Sequence, residues 1–231
     1  AYRRHGLEYY PKLLAAVPFT PVPGSRLLAR DSADRRILLS ALQSLAMQSG
    51  LSSAHLLFPH DDDIEAARAE GWMVRHGVQF HWRNRPDVPY ADFADFTAAL
   101  QREKRKKIQQ ERRRVAEAGV SFQVRVGTEI TDADWRFFHH CYSLTYAAHG
   151  STPYLSLDFF LGMGRQLSQH WVMFIALRNG EPLAASLVAI DAERRWAWGR
   201  YWGATEHVPC LHFEACYYQP LQWCIAQGYQ C

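Results

Sequence analysis

Apolar positions in the first fifty residues form two short runs and one long periodic stretch. Residues 13–17 (LLAAV) and 26–29 read as strands joined by FTPVPGS, where Pro21, Pro23 and Gly24 mark a turn. From Asp31 or Ser32, either able to cap a helix, Ile37, Leu38, Leu42, Leu45 and Ala46 recur at helical spacing until Gly50 stops the run. Residues 54–58 then predict a buried strand, 61–70 a short helix with acids in its first turn, and 72–82 a long strand. Residues 90–100 lead through a short helix into a longer one.

Beyond residue 120 the pattern becomes clearer. SFQVRV, residues 121–126, alternates as a half-buried strand should. Thr131 with Asp134 resembles a capping box opening a helix that runs to Tyr146, and Ser156 caps another through Leu167. Residues 171–177, 183–190 and 195–202 predict three strands joined at RNGEP and DAER, an antiparallel meander. A helix follows over 211–226 and ends at Gly228, with Pro220 implying a kink or break. The order strand, turn, strand, loop, long helix, Gly stop recurs in 13–50 and 183–228, which reads as two copies of one αβ unit.

Charge changes this picture at one place. The segment 101–119, QREKRKKIQQERRRVAEAG, sets eight basic residues against three acidic ones; the resulting +5 exceeds the +3 of the whole chain, so the remainder is net acidic. Ile108 and Val115 give this helix only a thin apolar stripe, which predicts a mostly solvated rod. Arg102, Lys104, Arg105, Lys106, Lys107, Arg112, Arg113 and Arg114 form a candidate polyanion-binding surface, although an exposed helix linking two halves has the same pattern.

Composition excludes rather than assigns. At 231 residues, 48% hydrophobic and 21% charged, the chain can bury a real core, and it has no apolar run near the roughly 20 residues a bilayer span needs. The opening AYRRHGLEYYPK lacks the apolar centre of a signal peptide. Five cysteines form no CxxC pair and fit reduced thiols in a cytoplasm. No nucleophile elbow, P-loop or GxGxxG occurs, which leaves hydrolase, NTPase and dehydrogenase readings without support.

Helix, helix, three antiparallel strands and a helix is the order of a GNAT-type acetyltransferase, and two such units joined by a basic helix resemble Fem-type aminoacyltransferases. RHGLEYYPKLLAAVPFTPV, GVQFHWRN, KRKKIQQERRRVAEAG and RYWGATEHVPCLHFEACYYQPLQWCIAQG resemble the bacterial FemAB-like family associated with peptidoglycan biosynthesis or recognition, a branch of the GNAT superfamily. The resemblance spans essentially the whole chain. It implies an α/β fold of the α+β kind, with two GNAT-like lobes of mixed, mostly antiparallel sheets. In this scheme residues 1–90 are the C-terminal part of a first lobe, 91–120 the basic connecting helix, and 121–231 a second lobe, incomplete at its C-terminus. It further implies acyl transfer to an amine, with an amine-bearing cell-wall precursor as acceptor.

The donor is narrowed by one junction. Acyl-CoA-using GNAT proteins hold the pyrophosphate on a Gly-rich turn opening a helix, whereas WGATEHVPCLHFE offers only Gly203, an opposing Glu206, and Pro209 without an N–H. Acyl-CoA is therefore disfavoured and no cofactor is expected. Aminoacyl-tRNA, the donor of Fem-type enzymes, is a polyanion that the basic helix could dock, as could an anionic lipid.

Amine acylation needs a base, donors for a developing oxyanion, and positioning, but no protein nucleophile. Glu214 is the candidate base or amine anchor, Tyr218 the proton donor or oxyanion partner four residues on, and His212 the alternative base; the competing assignment is a helix-capping Glu among core aromatics. Tyr217, and Arg200, Tyr201 and Trp202 at the end of a strand, are candidate substrate contacts, as are His149, Ser151 and Tyr154 in the loop AAHGSTPYL. His207, Cys210 and His212 meet no standard zinc spacing, so no metal is expected. The second function class is a non-catalytic module that binds a cell-wall precursor or nucleic acid through the basic helix.

Overall fold

Two runs of backbone amides decide where strands form and where they do not. The computed structural model describes residues 2–6 and 9–231, and the chain divides into two units, Ala1–Gln79 and Phe80–Cys231. Ala1, Leu7 and Glu8, part of the opening stretch quoted above, lie outside the described residues.

In the first unit, β1 (Leu13–Ala15) and β2 (Ala54–Leu56) pair in parallel, with α1 (Ser32–Gln48) between them in sequence. Asp31 caps α1 by accepting the Asp34 N–H at 2.8 Å. Gly50, at φ +62°, ends it in a conformation that costs glycine little. α2 (Asp61–Ala69) follows, and its Ala66 and Ala67 pack with Leu27 and Leu39. The expected strand at 26–29 does not form. The carboxylate of Asp63, 1% exposed, accepts the N–H groups of Arg26 at 2.6 Å and Leu27 at 3.4 Å, so these donors serve a side chain and not a ladder. Arg35 Nε, 3.2 Å away, balances the buried charge.

The expected strand at 72–82 does not form either. Its alternation is real, yet Met73, Val78 and Phe80 are 80%, 83% and 98% exposed, and the segment pairs with no strand among the described residues. An alternating pattern specifies a strand only when a partner and a covering layer complete it. Without the strand at 26–29, the parallel in element order between 13–50 and 183–228 is lost.

The second unit opens with α3 (Phe93–Ala98) and α4 (Arg102–Glu117), then builds an antiparallel sheet in the order β3 (Val120–Val126), β4 (Trp171–Arg178), β5 (Glu181–Asp191) and β6 (Trp196–Ala204). α5 (Asp132–Ala148) and α6 (Leu157–Gln166) lie between β3 and β4 in sequence. The Thr131 and Asp134 capping box is present, with N–H donors met at 2.8 and 3.2 Å. Asn179 and Gly180, both at positive φ, form the tight turn between β4 and β5.

Alternation sorts the sheet's faces. Met173, Ile175, Ala185 and Leu187 pack against Trp135, Phe138, Tyr142 and Phe160 of α5 and α6. Val172, Phe174, Val188 and Ile190 pack on the other side with Cys224 and Tyr229. At Gly203 the backbone of β6 approaches α5 so closely that a Cβ would stand 2.0 Å from the Cys141 carbonyl oxygen. Thr145 reinforces the approach by donating its hydroxyl to the Trp202 carbonyl at 3.0 Å.

The last helical run is interrupted as Pro220 predicts. α7 (Leu211–Phe213) passes into a π turn at Glu214–Tyr218, where the Gln219 N–H reaches back five residues to the Glu214 carbonyl, and α8 (Gln219–Ala226) continues. In this register the Ala215 carbonyl would accept from residue 220, which is proline and has no N–H. Ser186, buried on β5, donates its hydroxyl to that carbonyl instead.

Candidate functional site

α4 is less solvated than its composition predicts, because one face is committed. Glu111 and Val115 are buried and Ile108 and Arg112 half-buried, all within one side of the helix. Val115 enters a cluster with Val120, Ala176, Leu183 and Leu211. This docking brings two charged residues of α4 onto the π turn. Arg112 Nε donates to Glu214 Oε1 at 3.1 Å, and its Nη2 donates to Gln222 Oε1 at 2.9 Å. Its guanidinium also stands 4.7 Å from the centre of the Phe93 ring. Tyr218 donates its hydroxyl to Glu111 Oε2.

The π turn explains which side chains meet. In an α-helix Glu214 would face Tyr218, four residues on, as the sequence predicts. Wider coiling instead pairs it with the fifth residue, and Gln219 Nε2 donates to Glu214 Oε1 at 2.7 Å. One oxygen of Glu214 thus accepts two hydrogen bonds. The other, Oε2, is buried with no hydrogen-bond partner, in a residue only 3% exposed. A buried carboxylate oxygen left open is costly, and such groups concentrate where a ligand completes them.

Two cavities flank this junction. One, of about 380 Å³, is lined by Arg112, Arg113, Phe122, Glu214 and Gln219 among others. The second, of about 240 Å³, is lined by Glu111, Trp202, Glu206, His207, Cys210 and His212 among others. Glu214 and His212 therefore belong to different cavities. His212, part of its surface exposed, has its ring 4.7 Å from that of Trp202, and desolvation holds its pKa below the ordinary 6.5. Tyr218 is pushed up from the usual phenol value by burial, then by its bond to Glu111 and the nearby carboxylates. It is a neutral donor whose proton is already engaged. Cys216 is raised to about 12 by burial, so it is a packed thiol and no nucleophile.

The remaining expected contacts lie elsewhere. Tyr201 packs on Tyr142 at 5.2 Å and accepts from Arg200 Nη2 at 3.0 Å, while Tyr154 stacks edge-on against Tyr146 at 5.0 Å. With His149 at the end of α5, these residues line neither cavity. Tyr217 is exposed beside Phe213, and of the β6 residues named from sequence only Trp202 reaches a cavity. Arg112 departs from the polyanion set because Glu214 and Gln222 hold it inward; Arg102, Lys104, Lys106, Lys107, Arg113 and Arg114 stay exposed and Arg105 half-exposed. Glu206 pairs with Arg178. Among the described residues no group of three His, Cys, Asp or Glu side chains could hold a metal ion, and no helix is long and apolar enough to cross a membrane.

Sequence reasoning missed Glu111, Gln219 and Gln222, and read Arg112 as solvated. A signal existed: positions 108, 111, 112 and 115 share one helix face, so the apolar stripe of α4 has a Glu and an Arg embedded in it.

A family model described as FemAB-like, peptidoglycan biosynthesis/recognition, matches residues 1–231. No curated protein matches the sequence. Among solved structures, the chain is similar to the C-terminal domain of a protein described as a lysylphosphatidylglycerol synthetase from Agrobacterium fabrum. The TM-score is 0.52 at 14% identity, over 87% of this chain and 59% of that one. It also aligns with L-PGS from Bacillus licheniformis, with a TM-score of 0.49 at 15% identity over 84% of this chain and 55% of that one. The first likeness shows the fold, a mixed α+β architecture with an antiparallel sheet.

Proposed function

The chain belongs to the FemAB-like family of peptidoglycan biosynthesis or recognition, and on that premise we propose that it is an N-acyltransferase of GNAT type. It passes an aminoacyl group to the amine of a cell-wall precursor, on the cytoplasmic side where thiols stay reduced. The observation that carries this reading is Glu214, a buried carboxylate in the lining of a cavity, with one oxygen fixed by Arg112 and Gln219 and the other buried without a hydrogen-bond partner.

The chemistry needs little else from the protein. The substrate ammonium donates to Glu214 Oε2 and gives up one proton to it. The free amine then attacks the acyl carbonyl, a C–N bond forms, the nitrogen releases its second proton to solvent, and the ester C–O bond breaks. The leaving oxygen takes the proton back from Glu214, so the carboxylate is restored. Arg112 holds the Glu214 carboxylate in position through the bond from its Nε to Oε1. Tyr218 steadies Glu111 and through it the seat of α4.

An aminoacyl-tRNA donor fits better than acyl-CoA. From the end of β6 to the start of the π turn, the Thr205, Leu211 and Glu214 N–H groups are taken by the carbonyls of Leu183, Val208 and Cys210, and Pro209 has none. The outward face of α4, with Arg102 and Lys106, offers a polyanion exposed cations. The test is transfer by Glu214→Gln, which keeps shape and removes charge. Loss of a general base lowers the rate about 10²- to 10⁴-fold. A variant that turns over normally makes Glu214 a structural residue.

A further inference from the structure

The larger cavity has a charge pattern that suits neither a simple amine nor a simple anion. Arg112, Arg113 and Glu214 line it together, two cations against one carboxylate. Glu214 lines the cavity and is 3% exposed, and its Oε2 is buried without a partner, so a donor entering the cavity would complete an unsatisfied carboxylate. An ammonium would serve. Alone, however, it would add a third positive charge to a site already in excess of them.

An anion alone would meet the guanidinium groups but would stand beside the buried Glu214 carboxylate. Arg113 is well placed to resolve the conflict. Its partner Glu117 lies 3.3 Å away, with the two side chains 74% and 65% exposed, an ion pair of the kind that exchanges readily with solvent and ligands. Arg113 can therefore turn to a ligand without disturbing anything buried, whereas Arg112 is held by Glu214 and Gln222.

We propose that this cavity selects a zwitterion: an α-amino acid group whose ammonium meets Glu214 Oε2 and whose neighbouring carboxylate meets Arg113. The proposal rests on the reading of Glu214 as the amine anchor. It adds that the amine to be acylated sits beside a free carboxylate, so the acceptor presents an amino-acid end and not an isolated alkylamine. The apolar side of the cavity, Val115, Val120 and Phe122, takes the chain that follows.

Leucine, leucinamide and N-acetylleucine carry the two charges, the cation alone and the anion alone, and NMR titration of the whole chain compares them. Leucine is expected to shift the side-chain signals of Arg113 and Gln219 and to bind at least about tenfold more tightly than either analogue. Arg113→Gln should erase the preference over leucinamide, and Glu214→Gln the preference over N-acetylleucine. Leucinamide binding as well as leucine, saturable binding by none of the three, or AMP occupying the site in preference to leucine would each overturn the proposal. These readouts involve no transfer. Normal turnover by Glu214→Gln would remove the catalytic reading while leaving a demonstrated zwitterion preference standing, and equal binding of leucine and leucinamide would do the reverse.

Discussion

At the residue scale, the site is defined by which carboxylates are satisfied. Glu111 accepts from Tyr218 and lies 3.8 Å from Lys107, whereas Glu214 keeps one oxygen open in a more buried position. His212 gives a test of the second cavity that needs no substrate. Its folded pKa lies below 6.5 because burial disfavours the imidazolium. The folded protein thus binds this proton less readily than the unfolded chain. His212 contributes stability above 6.5 that is lost as pH falls from 6.5 through the depressed folded value. An NMR titration should place its midpoint below 6.5, and His212→Gln should remove part of the acid sensitivity. A midpoint at or above 6.5 would mean that the carboxylates of that cavity, and not burial, govern the ring.

At the element scale, the π turn is what aims Glu214, and a single hydroxyl keeps it in place. Pro220 and the i to i+5 register leave the Ala215 carbonyl without a backbone donor, and Ser186 supplies one from inside the sheet. Ser186→Ala should therefore cost roughly 1–3 kcal/mol, the penalty of an unsatisfied buried acceptor, as read by denaturant unfolding. A change within a few tenths would show that the carbonyl finds another donor. Pro220 announced a break in the sequence, but no propensity separates a kink from a π turn. That choice depends on a serine some thirty residues upstream and on α4 docking from another part of the chain. For the same reason Glu214 was visible as a candidate while Gln219 was not: pairing at the fifth residue lies outside helical periodicity. The two failed strands have physical causes of the same kind. One lost its amides to Asp63, and the other has no partner strand among the described residues.

The outward face of α4 belongs to this scale too. Replacing Arg102 and Lys106 with Gln should weaken binding of a bulk tRNA probe and flatten its salt dependence. Each lost phosphate contact lowers the slope of log K against log salt by roughly 0.7 to 0.9. Arg112→Gln should leave that slope almost unchanged, since Arg112 faces Glu214 and Gln222. An equal loss of slope at Arg112 would contradict the inward assignment.

At the scale of the whole molecule, the second unit's meander, its two faces and its helix caps at Thr131 and Ser156 were legible because local pattern and tertiary use agree there. The first unit was read less well, since its strands are three residues long and its amides are claimed by side chains. The chain belongs to the FemAB-like family, and the unsatisfied carboxylate at the π turn is the basis of the chemistry proposed for it. The central claim is amide formation at an amine. The most direct measurement incubates the chain with charged tRNA and a cell-wall precursor peptide bearing a free amine, then determines the peptide's mass. The account predicts a gain of one aminoacyl residue, joined through an amide and lost when the peptide's amine is acetylated beforehand. An unchanged mass, or an equal gain on the acetylated peptide, would contradict it.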